Sequence, residues 1–343
     1  MYCSRSPVQN LRNEHPLNVG TAPALTFLNR RFRVARPPRC CDNIQMKQQS
    51  LSPRAWAELF LLALLWGGSF LSFAIALREI GVFTLVAHRV AWAALLLWIY
   101  AAWAGIPIPR GARVWAACFV MGLLNNVIPF GLIAWGQTEI ESGLASILNA
   151  TTAFFGIVIA ALVFADERLT RRKIIGTMLG ILGVAVTMGF DALAGFDPRS
   201  LAQIAILGAA ISYGLAGSWA RKTLSDLRPE AAALGMLTGS TAIILPLAFV
   251  IDGMPTLVLL PETLISIGYI SIGATAGAYL LYYRVLAQAG SGNLMLVTIL
   301  ITPIAILLGA LVLGEALPAQ AFFGFAILAL GLIVIDGRLL RAR

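Results

Sequence analysis

Past residue 54 the chain is a succession of ten apolar runs, at 55–77, 82–103, 113–136, 141–164, 172–190, 200–220, 230–251, 262–286, 292–313 and 317–336. Each is about the roughly 20 residues that a helix needs to cross a hydrocarbon core about 30 Å thick. Inside that core every backbone N–H and C=O must be bonded by protein, which leaves helices and closed barrels as spanning structures. Barrel strands are shorter and alternate in polarity. These runs do not alternate, so the pattern predicts an all-α membrane protein of about ten transmembrane helices. Composition agrees: 59% of residues are hydrophobic and 12% are charged, where soluble domains carry about 25% charged residues.

The formal net charge of +9 does not indicate nucleic acid, because of where the charges sit. Nine of the 25 Lys and Arg precede residue 55, and most others lie in the short gaps between runs. With a cytoplasmic N-terminus, the inside loops and the C-terminal tail hold Arg110, Arg113, Arg168, Arg171, Arg172, Lys173, Arg221, Lys222, Arg228, Arg284, Arg338, Arg341 and Arg343. The outside loops hold only Arg78 and Arg199. That asymmetry is the positive-inside pattern. It places both termini on the cytoplasmic side, and the expected location is a bacterial plasma (inner) membrane.

Residues 1–54 differ from the rest. They are basic, contain Pro37-Pro38, and have no apolar stretch long enough for a secretory signal. The expectation is a disordered N-terminal extension. An organelle transit peptide has the same Arg-rich, acid-poor composition, and Met46-Lys47-Gln48-Gln49 ahead of the first span reads as an alternative start. Cys3, Cys40, Cys41 and Cys118 show no zinc spacing. No metal and no cofactor are expected.

The chain repeats itself at a separation of 148 residues. Glu167 falls on Glu315, Leu169 on Leu317, Gly176 on Gly324, Leu182 on Leu330 and Gly183 on Gly331. Apolar coincidences are cheap in such a composition, but a matched Glu followed by two matched glycines is less so. The halves are residues 55–190 and 200–337, five spans each. Five is odd, so the second copy enters the membrane upside down. Inverted repeats can exchange conformations and so alternate access to a midplane site.

Several motifs are similar to those of a known family. The first span has Leu65-Trp66-Gly67-Gly68-Ser69-Phe70, the second His88-Arg89-Val90-Ala91, and the eighth ends Tyr282-Tyr283-Arg284-Val285-Leu286. The ninth span and its exit read Thr302-Pro303-Ile304 and Leu313-Gly314-Glu315. In order, spacing and duplication, the chain resembles the EamA-type carriers of the drug/metabolite transporter superfamily over roughly residues 55–337. Two departures stand out. Asn149-Ala150-Thr151-Thr152-Ala153-Phe154 has Ala where the family's fourth helix usually has Pro, and Asp166 stands where a small residue is commoner. The resemblance implies ten helices in a 5+5 inverted repeat, and export or exchange of amino acids or other small metabolites. The expected partners are therefore a small-molecule substrate and the lipid bilayer.

Charged groups deep in a bilayer cost several kcal/mol and usually face the protein interior. Arg89, about two turns into the second span, is the leading candidate for a substrate-facing charge, since a guanidinium binds a carboxylate or phosphate bidentately. A structural Arg bonding carbonyls of a neighbouring helix is the alternative. His88 is expected to be a hydrogen-bonded interior residue, and Glu58 to pair with a basic residue near the inner surface. No span carries an acid at its middle, which speaks against a carboxylate proton relay. The remaining cavity candidates are Trp66, Asn125, Asn126, Asn149, Tyr213, Tyr282 and Thr302. Buried amides need partners, and Asn125-Asn126 precedes Pro129, where a freed carbonyl could also bind substrate. Glu167 and Glu315 are read as structural residues at helix boundaries, each capping the start of the next helix. Gly176/Gly180, Gly235/Gly239 and Gly273/Gly277 have the spacing of close helix packing.

A membrane enzyme would need His, Asp, Glu, Cys or Ser clustered at catalytic spacing near an interface, and a channel would show charged rings or a filter loop. Neither pattern is present, and no catalytic residue is assigned.

Overall fold

The computed structural model describes residues 53–165, 169–188, 198–256, 258–282, 284–285 and 296–336. They form ten helical rods, numbered here α1 to α10. The first repeat holds α1 Pro53–Ala76, α2 Val82–Ala104, α3 Ala112–Gly136, α4 Ser142–Val163 and α5 Arg171–Met188. The second holds α6 Pro198–Thr223, α7 Pro229–Ile251, α8 Pro261–Tyr282, α9 (296–313) and α10 Ala319–Asp336. Among the described residues seven helices, α1–α4 and α6–α8, are both long and apolar enough to cross a membrane. α9 and α10 supply the shorter apolar stretches Leu300–Leu313 and Ala319–Ile335. α5 opens on Arg171, Arg172 and Lys173, so its apolar part is confined to Ile174–Met188. The basic extension, Asp166 to Arg168, Tyr283 and residues 286–295 lie outside the described residues.

The outer surface is as apolar as the inside. Trp103, Leu162, Ile265 and Phe323 are 84%, 79%, 72% and 68% exposed. In water each such side chain would forgo about 1.5–3 kcal/mol of burial; against lipid tails nothing is forgone. Buried positions between helices favour small residues, such as Ala63, Ala93, Ala134, Ala209 and Ala305. That is how helices associate where apolar surface alone gives no drive.

The helix contacts obey a two-fold exchange of the two repeats. α1 packs on α9 as α6 packs on α4, α3 on α7 as α8 on α2, and α3 on α6 as α8 on α1. α2, α4 and α5 pair with their own equivalents α7, α9 and α10. Those equivalent helices run antiparallel. Along α2 and α7, the Thr84 N–H meets Asp252 near one end and Trp98 meets Thr238 further along. Along α5 and α10, Gly176 faces Gly331 while Gly183 faces Gly324. The second repeat is therefore inverted relative to the first.

The same contacts explain the matched glycines. A two-fold that exchanges Gly176 with Gly324 and Gly183 with Gly331 carries one close contact onto the other. A Cβ on Gly331 would stand 2.7 Å from the Gly176 carbonyl oxygen, and one on Gly183 2.9 Å from that of Gly324. Backbone atoms cannot step aside, so both seams need bare backbone. Gly235 and Gly239 do likewise for α7 against Cys118 and Phe119 of α3. Gly273 and Gly277 lie instead in a π-helical stretch of α8, where their spacing has a different meaning from the packing read from sequence.

Among the described residues four helices depart from straight α geometry in ways the apolar pattern does not show, and one of them, α9, ends in a π-helical turn at Gly309–Leu313. α3 passes through a π-helical turn at Leu123–Val127, and α8 through a longer one at Tyr269–Gly277. The two overlap under the 148-residue repeat. α4 breaks between Asn149 and Thr152, where the chain has no proline. Ala150 and Thr151 have ψ of −18° and −13°. Thr151 and Thr152 donate their hydroxyls to the Leu148 and Asn149 carbonyls at 2.6 and 2.7 Å. Such back-bonding bends helices, so the threonine pair accounts for the break.

Helices crossing in alternation give the molecule two faces. The loop residues 77–81, 137–141, 252–256, 258–260 and 314–318 share one of them, called the far face below; α1 starts from the near face.

Candidate functional site

Successive helix residues point about 100° apart, so the neighbours His88 and Arg89 face different surroundings. His88 is half-buried and accepts a hydrogen bond from the Trp92 indole at 3.2 Å, beside a Trp92 that is 50% exposed. Arg89 turns inward and is buried. Its guanidinium carbon lies 3.7 Å from the centroid of the Phe130 ring on α3 and 5.2 Å from that of Phe73 on α1. Its Nε donates to Thr275 Oγ1 on α8 at 3.0 Å. Among the described residues it forms no ion pair. The two rings offset part of the cost of burying the charge. The rest, of order several kcal/mol, is uncompensated. Tyr213 of α6 and Tyr279 of α8 lie within electrostatic reach.

Next to this cation is an amide–hydroxyl network spanning the repeats. Asn126, fully buried in α3, donates to Ser240 Oγ of α7 at 2.8 Å and accepts from the Tyr279 hydroxyl at 3.1 Å. Asn125 donates to the same Tyr279 oxygen at 3.2 Å and reaches Met236 Sδ at 3.4 Å. Asn126 is thus engaged on both sides of its amide, while the Asn125 carbonyl oxygen has no partner among the described residues. Replacing Asn126 by Leu removes one partner from each of the Ser240 and Tyr279 hydroxyls, which keep the Met236 carbonyl and the Asn125 amide. The expected cost is about 1–3 kcal/mol, read as a lower melting temperature of the purified protein.

The π-helical turns sit against this network and expose carbonyls to side chains from the first helix of each repeat. Trp66 of α1 donates its indole N–H to the Ala274 carbonyl at 3.2 Å, and Ser212 of α6 donates to the Leu124 carbonyl at 2.6 Å. α-Helices widened in this way recur at functional sites. Trp66 also stacks at 5.9 Å on Tyr282, and Tyr213 lies edge-on to Phe130 at 6.5 Å. A Trp66→Phe change keeps an aromatic ring, though a smaller one, and removes the bond. It is expected to cost about 1 kcal/mol in a thermal melt.

Of the residues singled out from sequence, the structure gathers Arg89, Trp66, Asn125, Asn126, Tyr213 and Tyr282 around the meeting point of α1, α2, α3, α6 and α8. Asn149 sits at the α4 break with its side-chain oxygen buried and unpartnered. Thr302 is placed differently. It is fully buried where α9 crosses α4 and donates to the Ser146 carbonyl at 3.3 Å, an interhelical bond. Glu58 pairs with Arg284 at 2.8 Å and with Arg54 at 3.2 Å. Glu315 corrects the sequence reading. Its carboxylate accepts from the Ser142 N–H, the Ser142 hydroxyl and the Gly143 N–H at 2.9, 2.8 and 3.2 Å. It therefore caps α4 of the other repeat and not the helix that follows it. Glu167 lies outside the described residues. Phe73, Phe130, Thr275 and Ser240 were not anticipated. Apolar rings and small hydroxyls carry no signal until the helices are assembled, although Phe130 does follow Pro129.

With this geometry in place, the relatives can be compared. The sequence matches the EamA-like transporter family twice, over residues 55–189 and 200–336. The chain belongs to this family. It is an integral membrane transporter of small molecules, not an enzyme. A protein of Streptantibioticus cattleyicolor named "Probable terminal-alkyne amino-acid exporter" is 28% identical over 308 residues, covering 85% of this chain and 96% of that one. A protein of Escherichia coli named "Probable amino-acid metabolite efflux pump" is 26% identical over 229 residues, covering 62% and 76%. A solved crystal structure superposes with a TM-score of 0.60 at 17% identity, covering 86% of this chain and all of that one. At that identity the likeness concerns the fold. The two EamA-like matches account for the repeat of the chain.

Proposed function

We propose that this EamA-like chain exports or exchanges a small metabolite bearing a carboxylate, such as an amino acid, by alternating access between its inverted repeats. The observation that carries the reading is Arg89: a buried guanidinium between two aromatic rings, at the junction of both repeats, with no acid beside it among the described residues. A fixed cation that a protein leaves unpaired in a water-poor interior favours an anionic partner brought by the ligand. The Asn125 carbonyl oxygen and the hydroxyls of Tyr213 and Tyr279 stand ready for an ammonium or other donor group. Asn149 is a further contact proposed from the first repeat, and Trp66 and Tyr282 form the aromatic wall. The names of the amino-acid exporters among its relatives support this substrate class. The proposed location is a bacterial plasma membrane with both termini cytoplasmic, which makes the far face external. Arg110, Arg113 and Arg171 to Lys173 then line the inside.

The test is transport by the full chain in proteoliposomes against a panel of amino acids and their carboxamides. The reading predicts saturable uptake of one or more carboxylates and at least a tenfold preference over the matching amide. Equal transport of acid and amide would remove the carboxylate from the proposal.

A further inference from the structure

Among the described residues three helices start on the far face without a side-chain cap of their own. The N-cap residues of α2, α4 and α8 are Gly81, Glu141 and Leu260, and none bonds its helix through a side chain. In each case a carboxylate from the opposite repeat takes the place. Asp252, after α7, accepts from the Thr84 N–H of α2 at 2.6 Å. Glu79, after α1, accepts from the N–H of Leu260, the N-cap residue of α8, at 3.0 and 3.1 Å in an exposed position. Glu315, after α9, holds the first turn of α4 by three bonds.

The placement of these acids is informative. Each follows a helix C-terminus, where the dipole of its own helix disfavours an anion. The favourable interaction is with the N-terminus of a helix in the other repeat. Two of them also need space left for them. A Cβ on Gly81 would overlap the Asp252 carboxylate, and one on Gly309 would overlap that of Glu315. Gly81 has φ of −68°, which any residue adopts, so what it supplies is room. A fourth link on the same face, Arg199 to Glu141 at 2.7 Å, is solvent-exposed and worth little.

We infer that Glu79, Asp252 and Glu315 form a latch that holds the two repeats together on the far face, and that the carrier opens there only when these caps are exchanged for water. The inference rests on the alternating-access reading. It adds the groups that set the balance between far-face-closed and far-face-open states. A helix cap shifts an equilibrium by about fivefold, so three separated caps acting together shift it by about a hundredfold.

The experiment measures distance. In a cysteine-free full-length background reconstituted in liposomes, spin labels at Thr138→Cys and Thr256→Cys place one probe on each repeat at the far face. Pulsed electron spin resonance then gives the distance distribution. The combined Glu79→Gln, Asp252→Asn and Glu315→Gln variant is expected to gain a longer-distance population, with the open-to-closed ratio up about a hundredfold. Gly309→Ala, which keeps the acid but removes its space, should shift the ratio in the same direction as Glu315→Gln. Glu139→Gln removes a charge from an uncapped position on the same face and should leave the distribution unchanged. A folded triple variant with the unaltered distribution overturns the latch, as does an equal shift from Glu139→Gln. Counterflow is measured on the same liposomes. Absence of saturable counterflow in the unsubstituted protein counts against the carrier reading, whereas unmoved distances with counterflow intact count against the latch alone.

Discussion

Arg89→Gln is expected to weaken transport ten- to hundredfold while leaving the protein as stable as before, or more so. The two readouts separate because the arginine does opposite things in them. Toward a carboxylate ligand, the guanidinium supplies charge-assisted bonds worth about 1.5–3 kcal/mol, and each 1.4 kcal/mol is tenfold in affinity. Toward the fold, it is an unpaired cation buried between Phe73 and Phe130, and removing such a charge relieves a cost of several kcal/mol. Glutamine keeps a donor for Thr275. Arg89→Lys should fall between, since an ammonium keeps the charge and loses the planar fork. An arginine whose role is to bond neighbouring helices would behave otherwise, with melting temperature and transport dropping together. Unchanged transport kinetics in Arg89→Gln would remove the residue from the site.

The second large effect concerns the seam between α5 and α10. Gly324→Ala or Gly183→Ala is expected to destabilise the protein by about 1–3 kcal/mol, seen as a clear fall in melting temperature. The sign is the informative part. In an open helical position, Gly→Ala stabilises by up to about 1 kcal/mol through helix propensity. Gly131 and Gly217 have open space where a Cβ would go, so alanine there should be neutral or stabilising. At Gly324 the new Cβ would lie 2.6 Å from the Thr187 nitrogen and 2.7 Å from the Gly183 carbonyl oxygen, and the two helices must part to admit it. Because Gly183 and Gly324 share one contact, the double variant should cost less than the sum of the singles. Gly176 and Gly331 should reproduce the pattern at the symmetry-related contact. A stabilising effect of alanine at all four glycines would contradict the antiparallel seam and with it the inversion of the repeats.

Much of the architecture was legible from the chain because bilayer thickness sets a length and the repeat sets a symmetry. The ten runs, their division into fives and the inversion required nothing beyond apolar segments, an odd count and a few matched residues. Arg89 was legible because charge is rare inside such runs. The partners of Arg89 were not, since Phe73, Phe130 and Thr275 come from three other helices and are ordinary residues for a membrane span. The π-helical turns of α3 and α8 escaped notice for a similar reason. Widening a helix by one residue per turn leaves its apolar content untouched, and Leu123 to Val127 differs from a plain span only in Asn125 and Asn126. Thr302 looked like a cavity group because it is polar, and the structure spends it on an α9–α4 bond. Glu315 was conspicuous through its repetition, yet its partner lies 173 residues away. Sequence proximity pointed to the next helix, whereas spatial proximity chose α4.

The central claim is that this EamA-like protein is a carrier whose inverted halves expose one Arg89-centred site to each side in turn. Counterflow in proteoliposomes tests it most directly. Vesicles preloaded with an excess of an unlabelled transported carboxylate are diluted into a trace of the same compound carrying a radiolabel. An alternating site must return loaded, so the account predicts transient accumulation of label above its equilibrium level, saturating with external concentration and weakened in Arg89→Gln. Label that only equilibrates, at a rate linear in concentration and indifferent to what the vesicles contain, would contradict it.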